Sequence, residues 1–166
     1  MNIYEVVDKL AEKYHKGQLR KDGKEYITHP RAVVEIAISM YDSKVNYGTG
    51  LADELSIIKA VAVGHDILED CAVTSEELRE EMLKLCNNEK EVDNVIFFLD
   101  VLNKDNYKSY LSYIRWVKTT NLSTLVKLAD LEHNLSDLKP GSLRDKYELA
   151  QYILNENIPN TGSKTE

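Results

Sequence analysis

Proline is scarce in this chain. Only Pro30, Pro140 and Pro159 occur among 166 residues, so the long middle holds nothing to break a helix. Strand-like alternation is equally scarce, while apolar residues recur three and four apart. No apolar run approaches the ~20 residues that cross a bilayer. Residues 1–9 lack the basic-then-apolar order of a secretory leader. The only cysteines, Cys71 and Cys86, have no metal-type spacing. A disulfide between them stays open, but reduced thiols in a cytoplasmic protein is the simpler reading. A basic surface is also missing. The net charge of −7 argues against nucleic acid as a partner, which needs one.

What is present describes one domain. Hydrophobic residues make up 43% and charged residues 30%, the balance of a globular protein, and 166 residues suit a single core. The periodicity predicts an all-α fold, a single helical bundle over residues 1–154 with a polar, flexible tail at 155–166. Helices are expected at about 3–16, from Pro30 onward, and at 53–70, 74–85, 89–101, 107–119, 122–135 and 143–154, with a turn at 47–50. Thr74 and Glu77 have capping-box spacing. Pro30 suits the first helical position, where a missing N–H costs nothing.

Three segments carry chemistry. In the first, Gly64, His65, Asp66, Glu69 and Asp70 interrupt an apolar helix. His65 with Glu69 and Asp66 with Asp70 are i, i+4 pairs on neighbouring strips. Three carboxylates buried beside an imidazole are costly unless a cation compensates them. A helical glycine costs ~1 kcal/mol against alanine, so Gly64 suggests a close backbone approach. A bare His-Asp dipeptide is weak evidence, and alone it reads better as a helix end with solvated acids. In the second segment, Asp130 stands between Ala129 and Leu131, an acid in apolar company, with Asn134 one turn on and Lys127 beside it. In the third, His29 precedes Pro30 at a helix start. A basic loop, Lys16, Arg20, Lys21 and Lys24 against Asp22 alone, could receive a small anion or simply be solvated.

Together these segments resemble the hydrolase domain of RelA/SpoT-type alarmone enzymes, an HD-type domain, and in particular the stand-alone small alarmone hydrolases. The resemblance runs from His15-Lys16-Gly17-Gln18-Leu19-Arg20-Lys21-Asp22-Gly23 through Tyr26-Ile27-Thr28-His29-Pro30. It continues through His65-Asp66-Ile67-Leu68-Glu69-Asp70 and Val73-Thr74-Ser75-Glu76-Glu77-Leu78 to Lys127-Leu128-Ala129-Asp130 and His133-Asn134. It implies an all-helical domain with one divalent ion, usually manganese, on His29, His65, Asp66 and Asp130. It implies that Glu69 and Asp70 activate water, that Arg20 and Lys21 lie against the nucleotide, and that Asn134 contacts the ribose side. The implied reaction removes pyrophosphate from the 3′ position of guanosine tetra- or pentaphosphate. The implied partner is a small nucleotide, with neither nucleic acid nor membrane; the oligomeric state is left open. At this length a synthetase domain has no room.

The chain departs from the family pattern at Leu131, where arginine is frequent, and at Glu25, where proline is. Leu131 puts the choice of nucleotide in question. Two other functions stay open: an HD phosphohydrolase of another nucleotide or of a phosphorylated dinucleotide cofactor, and a nucleotide sensor without catalysis. The intact Glu69-Asp70 pair speaks against the sensor. His15 reads as structural or supporting, His133 as packing, Cys71 as a small buried residue, and Tyr107, Tyr110 and Tyr113 as a packing stripe.

Overall fold

A computed structural model describes residues 1–43 and 54–156. The turn expected at 47–50, residue 53 and residues 157–166 of the expected tail lie outside them. Among the described residues the fold is all-α. The only extended pairing among the described residues is an isolated bridge between Leu19 and Glu25.

Helix α1, Ile3–Tyr14, starts at a capping box in which the Asn2 side chain accepts from the Glu5 amide and Glu5 answers to Asn2. It ends two residues before expectation. Gly17, at φ +83°, then turns the chain in a conformation that costs glycine little. Helix α2, Thr28–Ser43, begins ahead of Pro30, which still lies within the first turn, where no helical acceptor is lost.

The helix expected over 53–70 is divided. Helix α3 spans Glu54–Gly64 and a single turn, α4, spans Ile67–Asp70. His65 and Asp66 occupy the break. The i, i+4 argument for that segment therefore does not apply as a continuous helix. The break, rather than helical spacing, aims the two side chains.

Helix α5, Ser75–Leu85, carries the expected Thr74–Glu77 capping box. Helix α6 spans Glu89–Leu102, followed by a 3-10 turn at Lys104–Asn106. Helix α7, Tyr110–Val117, starts three residues later than expected because Ser109 caps it reciprocally with Ser112. Helices α8, Asn121–Leu135, and α9, Ser142–Asn155, close the described fold.

Helix α3 is apolar on nearly every side and forms the centre of the core, as an all-round hydrophobic helix must. Ile57, Ile58, Ala60, Val61, Ala62 and Val63 are all fully buried. It packs on α1, α2 and α6, while α2 also packs along α8. Helices α3 and α8 touch directly, but α2 binds them together more than they bind each other. Gly64 is where close approach is needed: a Cβ there would meet Val7 Cγ1 at 2.8 Å and Leu99 Cδ2 at 3.3 Å. Among the described residues no helix is long and apolar enough to cross a membrane, and both cysteines are free.

Candidate metal centre

Three parts of the chain meet beneath the surface. The first turn of α2 brings His29, the break after α3 brings His65 and Asp66, and the middle of α8 brings Asp130. His29 Nε2 lies 3.2 Å from Asp130 Oδ1 and 3.5 Å from Asp66 Oδ2. His65 Nε2 lies 3.1 Å from Asp66 Oδ2 and 3.5 Å from Asp130 Oδ1. The ligand atoms of His29, His65 and Asp66 all fall within 4.8 Å of one another, a group able to hold a metal ion. Asp130 faces both histidines of that group. Two atoms each ~2.1 Å from a common ion stand roughly 3.0–3.4 Å apart at octahedral or tetrahedral angles, close to these separations.

The donors are also oriented for an ion. His65 Nδ1 contacts the Ala62 carbonyl at 2.8 Å. A carbonyl only accepts, so Nδ1 carries the proton and Nε2 of the neutral ring presents its lone pair. That Nε2 is buried and has no partner in hydrogen-bond geometry, despite the nearby carboxylates. His29 Nδ1 meets His133 Nδ1 at 2.8 Å, which leaves His29 Nε2 facing the carboxylates. The Asn134 amide donates to Asp130 Oδ1 at 2.6 Å, and Lys127 Nζ donates to Asp130 Oδ2 at 2.6 Å. Supporting contacts of this kind fix the orientation of metal-binding side chains.

The electrostatics follow from burial and proximity. Burial alone would lower the pKa of both histidines, yet the Asp66 and Asp130 carboxylates lift them, His65 to well above the ordinary imidazole value. Burial alone would raise the two aspartates. His65 beside Asp66, and Lys127 with both histidines around Asp130, hold them well below the usual carboxylate range. The group therefore favours charges of both signs, with positions where a cation and protons compete.

Around this centre lie the other residues singled out from the sequence. Glu69 pairs with Lys104. Asp70 is exposed, and its Oδ2 accepts from the Tyr26 hydroxyl at 2.8 Å; the same hydroxyl lies 2.7 Å from Asp66 Oδ2. Burial and then Asp66 push the Tyr26 hydroxyl far up, so it stays a donor. The basic loop is divided. Arg20 and Lys24 line a cleft of about 340 Å³ with His133 and Asp137, and Arg20 donates to Asp137 at 3.1 Å. Lys21 is exposed. Leu131 is fully buried, so its departure from the family pattern falls in the core rather than in the cleft.

Sequence reasoning missed Tyr26, Lys104 and the His133–His29 contact. Tyr26 belongs to the Tyr26-Ile27-Thr28-His29-Pro30 motif, whose spacing alone gives it no role. His133 occupies a different strip of α8 from Asp130, so helical spacing alone reads it as packing. Its partner lies 104 residues away, a relation no local spacing shows.

Fold and site together define an all-helical domain built around a buried His/Asp group of metal-ligating type. The sequence comparisons sharpen this. No family profile matches the chain. A Haemophilus influenzae protein named guanosine-3′,5′-bis(diphosphate) 3′-pyrophosphohydrolase is 30% identical over 139 residues, 81% of this chain and 18% of that protein. A Myxococcus xanthus GTP pyrophosphokinase is 29% identical over 154 residues, 90% of this chain and 19% of that protein. The bifunctional (p)ppGpp synthase/hydrolase SpoT of Escherichia coli is 30% identical over 143 residues, 81% of this chain and 18% of that protein. Over most of its length the chain is similar to RelA/SpoT-type enzymes, and it spans about a fifth of the length of these relatives.

Proposed function

We propose that residues 1–154 form a metal-dependent phosphohydrolase domain that removes pyrophosphate from the 3′ position of guanosine 3′,5′-bis(diphosphate) and its pentaphosphate form. The observation that carries this is the buried convergence of His29, His65, Asp66 and Asp130, with the partnerless His65 Nε2 turned toward the carboxylates. The relatives named for this hydrolysis supply the substrate. The four residues would hold one divalent ion, manganese in this reading. Such an ion, when bound, polarises phosphate oxygens and lowers the pKa of water.

The chain's own groups have distinct tasks. Glu69 and Asp70 lie one turn beyond His65 and Asp66, and their carboxylates accept the proton of the attacking water. Tyr26 holds Asp66 and Asp70 in fixed relation through one hydroxyl. Lys104 holds Glu69 in place through their ion pair. Arg20 and Lys21 offset the charge of a ligand with two pyrophosphates. Asn134 spends its amide N–H on Asp130, which leaves its carbonyl oxygen to accept from a ribose hydroxyl. Free cysteines suit a reducing, cytoplasmic setting.

The test is to incubate the manganese-loaded protein with guanosine tetra- and pentaphosphate, nucleoside monophosphates and a phosphorylated dinucleotide cofactor, and to identify products by mass. Release of pyrophosphate from the 3′ position is expected. Turnover confined to another member of the panel assigns a different phosphohydrolase, and tight binding without turnover assigns a sensor.

A further inference from the structure

A second cleft lies away from the metal centre. It measures about 780 Å³ and opens between α1, the segment 25–31 and the C-terminal end of α5. A volume of that size suits a small organic ligand. The partition between the two sites is one short piece of chain. Glu25 and Ile27 line the cavity, while Tyr26 between them sends its hydroxyl to Asp66 and Asp70. The cavity therefore lies behind the metal centre, on the other side of the Tyr26 segment.

Its walls have a definite chemistry. The buried lining residues are Leu10, Ile27 and His15, the last only 2% exposed. His15 Nδ1 contacts the Gln18 side-chain amide oxygen Oε1 at 2.8 Å, so Nδ1 carries the proton and Nε2 is an acceptor in the neutral ring. That Nε2 is buried and has no hydrogen-bond partner. An unpaired buried acceptor is costly, on the order of 1–3 kcal/mol, so a donor brought to it by a small shift of the cleft wall would be favoured.

The rim is charged. Lys13 pairs with Glu81, and Arg31 pairs with Asp8 and Glu12. Lys9, Lys16 and Lys84 are exposed and form no ion pair among the described residues, as does Glu25. Three unpaired ammoniums thus face the Glu25 carboxylate and the one surplus negative charge of the Arg31–Asp8–Glu12 group, a positive balance on a protein whose net charge is −7. Lys16 belongs to the basic loop noted in the sequence. The fold turns it away from Arg20 and Lys24 and into this second cavity.

The geometry points to a second ligand site, separate from the metal centre, for an organic anion of up to mononucleotide size. Its negative group is held by Lys9, Lys16 and Lys84. Its apolar body lies on Leu10 and Ile27, and a hydroxyl or N–H group donates to His15 Nε2. This site does not depend on the reaction proposed above, and it stands or falls on binding alone.

Anilinonaphthalene sulfonate, which combines an apolar body, one N–H donor and one fixed negative charge, is a suitable probe. It is titrated against the full chain by fluorescence, with the His15 ring nitrogens followed by NMR in the same samples. Saturable binding is expected, with movement of the His15 Nε2 resonance. Affinity should fall at least ~10-fold in the Lys9→Glu/Lys84→Glu variant, less in Lys9→Gln/Lys84→Gln, and little in Arg20→Ala, because only the first two change the charge of this rim. Equal affinity in the wild type and Lys9→Glu/Lys84→Glu overturns the assignment. So does a stationary His15 resonance at saturation, or no saturable binding up to millimolar probe.

Discussion

Asp130 is the residue on which most of the centre's support converges. One carboxylate oxygen faces both histidines and accepts from Asn134, and the other accepts from Lys127. Asp130→Asn removes a charged member of the proposed ligand set and should weaken manganese affinity at least ~10-fold. Asn134→Ala removes only an orienting contact, and a loss of roughly 10- to 100-fold in affinity or activity is the usual scale for such support. Manganese titration of both variants checks this; unchanged affinity in Asp130→Asn would remove it from the ligand set. Glu69→Gln and Asp70→Asn should instead keep metal binding and lower turnover at least ~10²-fold, the contribution of a positioned base. Metal content and turnover are measured on the same samples, and wild-type turnover in both variants defeats the proposed water activation. Arg20→Ala and Lys21→Ala should raise KM more than they lower kcat, since a cation on the ground-state phosphates binds substrate and transition state alike. At this scale the sequence exposed residue types and motif positions. It did not expose partners such as His133 for His29 or Lys104 for Glu69, because both pairs form between elements distant in the chain.

Among the elements, the break between α3 and α4 is the most consequential. A continuous helix would hold His65 and Asp66 to adjacent strips 100° apart. The break frees both to face one point instead. Gly64, the last residue of α3, lets α3 lie against Val7 of α1 and Leu99 of α6. Its unusual position in an apolar helix was visible in the sequence, but the helix end it occupies was not, since Ile67 and Leu68 continue the apolar spacing past it. Gly64→Ala gains up to ~1 kcal/mol of helix propensity and loses more. Its methyl meets a stiff, fully buried valine methyl at 2.8 Å with Leu99 close behind, and overpacking of this kind costs typically 1–3 kcal/mol. Urea unfolding should show net destabilisation. Equal or greater stability would mean that the α1–α3 contact yields freely. Thr74→Ala, by contrast, should cost ~1 kcal/mol through loss of a cap. That capping box was legible from two residues three apart, because its determinants are local.

At the scale of the whole molecule, stability is tied to pH and, under the proposed function, to a metal ion. The all-α class was readable from end to end because proline is scarce and apolar spacing regular, whereas the order of packing, with α2 between α3 and α8, depends on long-range contacts. That packing brings two histidines and two aspartates into a shared interior. Without an ion, His29 and His65 have raised pKa values in the fold, so their contribution to stability is full below the unfolded value of about 6.5 and is lost as pH rises through the folded values. Asp66 and Asp130 are lowered, so theirs is present above about 3.9 and is lost as pH falls through the folded values. The ion-free centre therefore stabilises the fold most between about pH 4 and 6.5. Manganese requires neutral imidazoles, so its affinity rises over the range in which the protonated centre weakens. The rise in Tm on adding manganese should consequently be larger at about pH 8 than at about pH 5.5. At an ion concentration of ~100 times Kd it should reach roughly 5–10 °C, from ~2.7 kcal/mol of linkage in a domain of this size. Thermal unfolding with and without manganese at both pH values tests this, with His29→Ala as the variant in which the gain should collapse. A gain independent of pH, or greatest at the acid end, would place the ion away from these histidines.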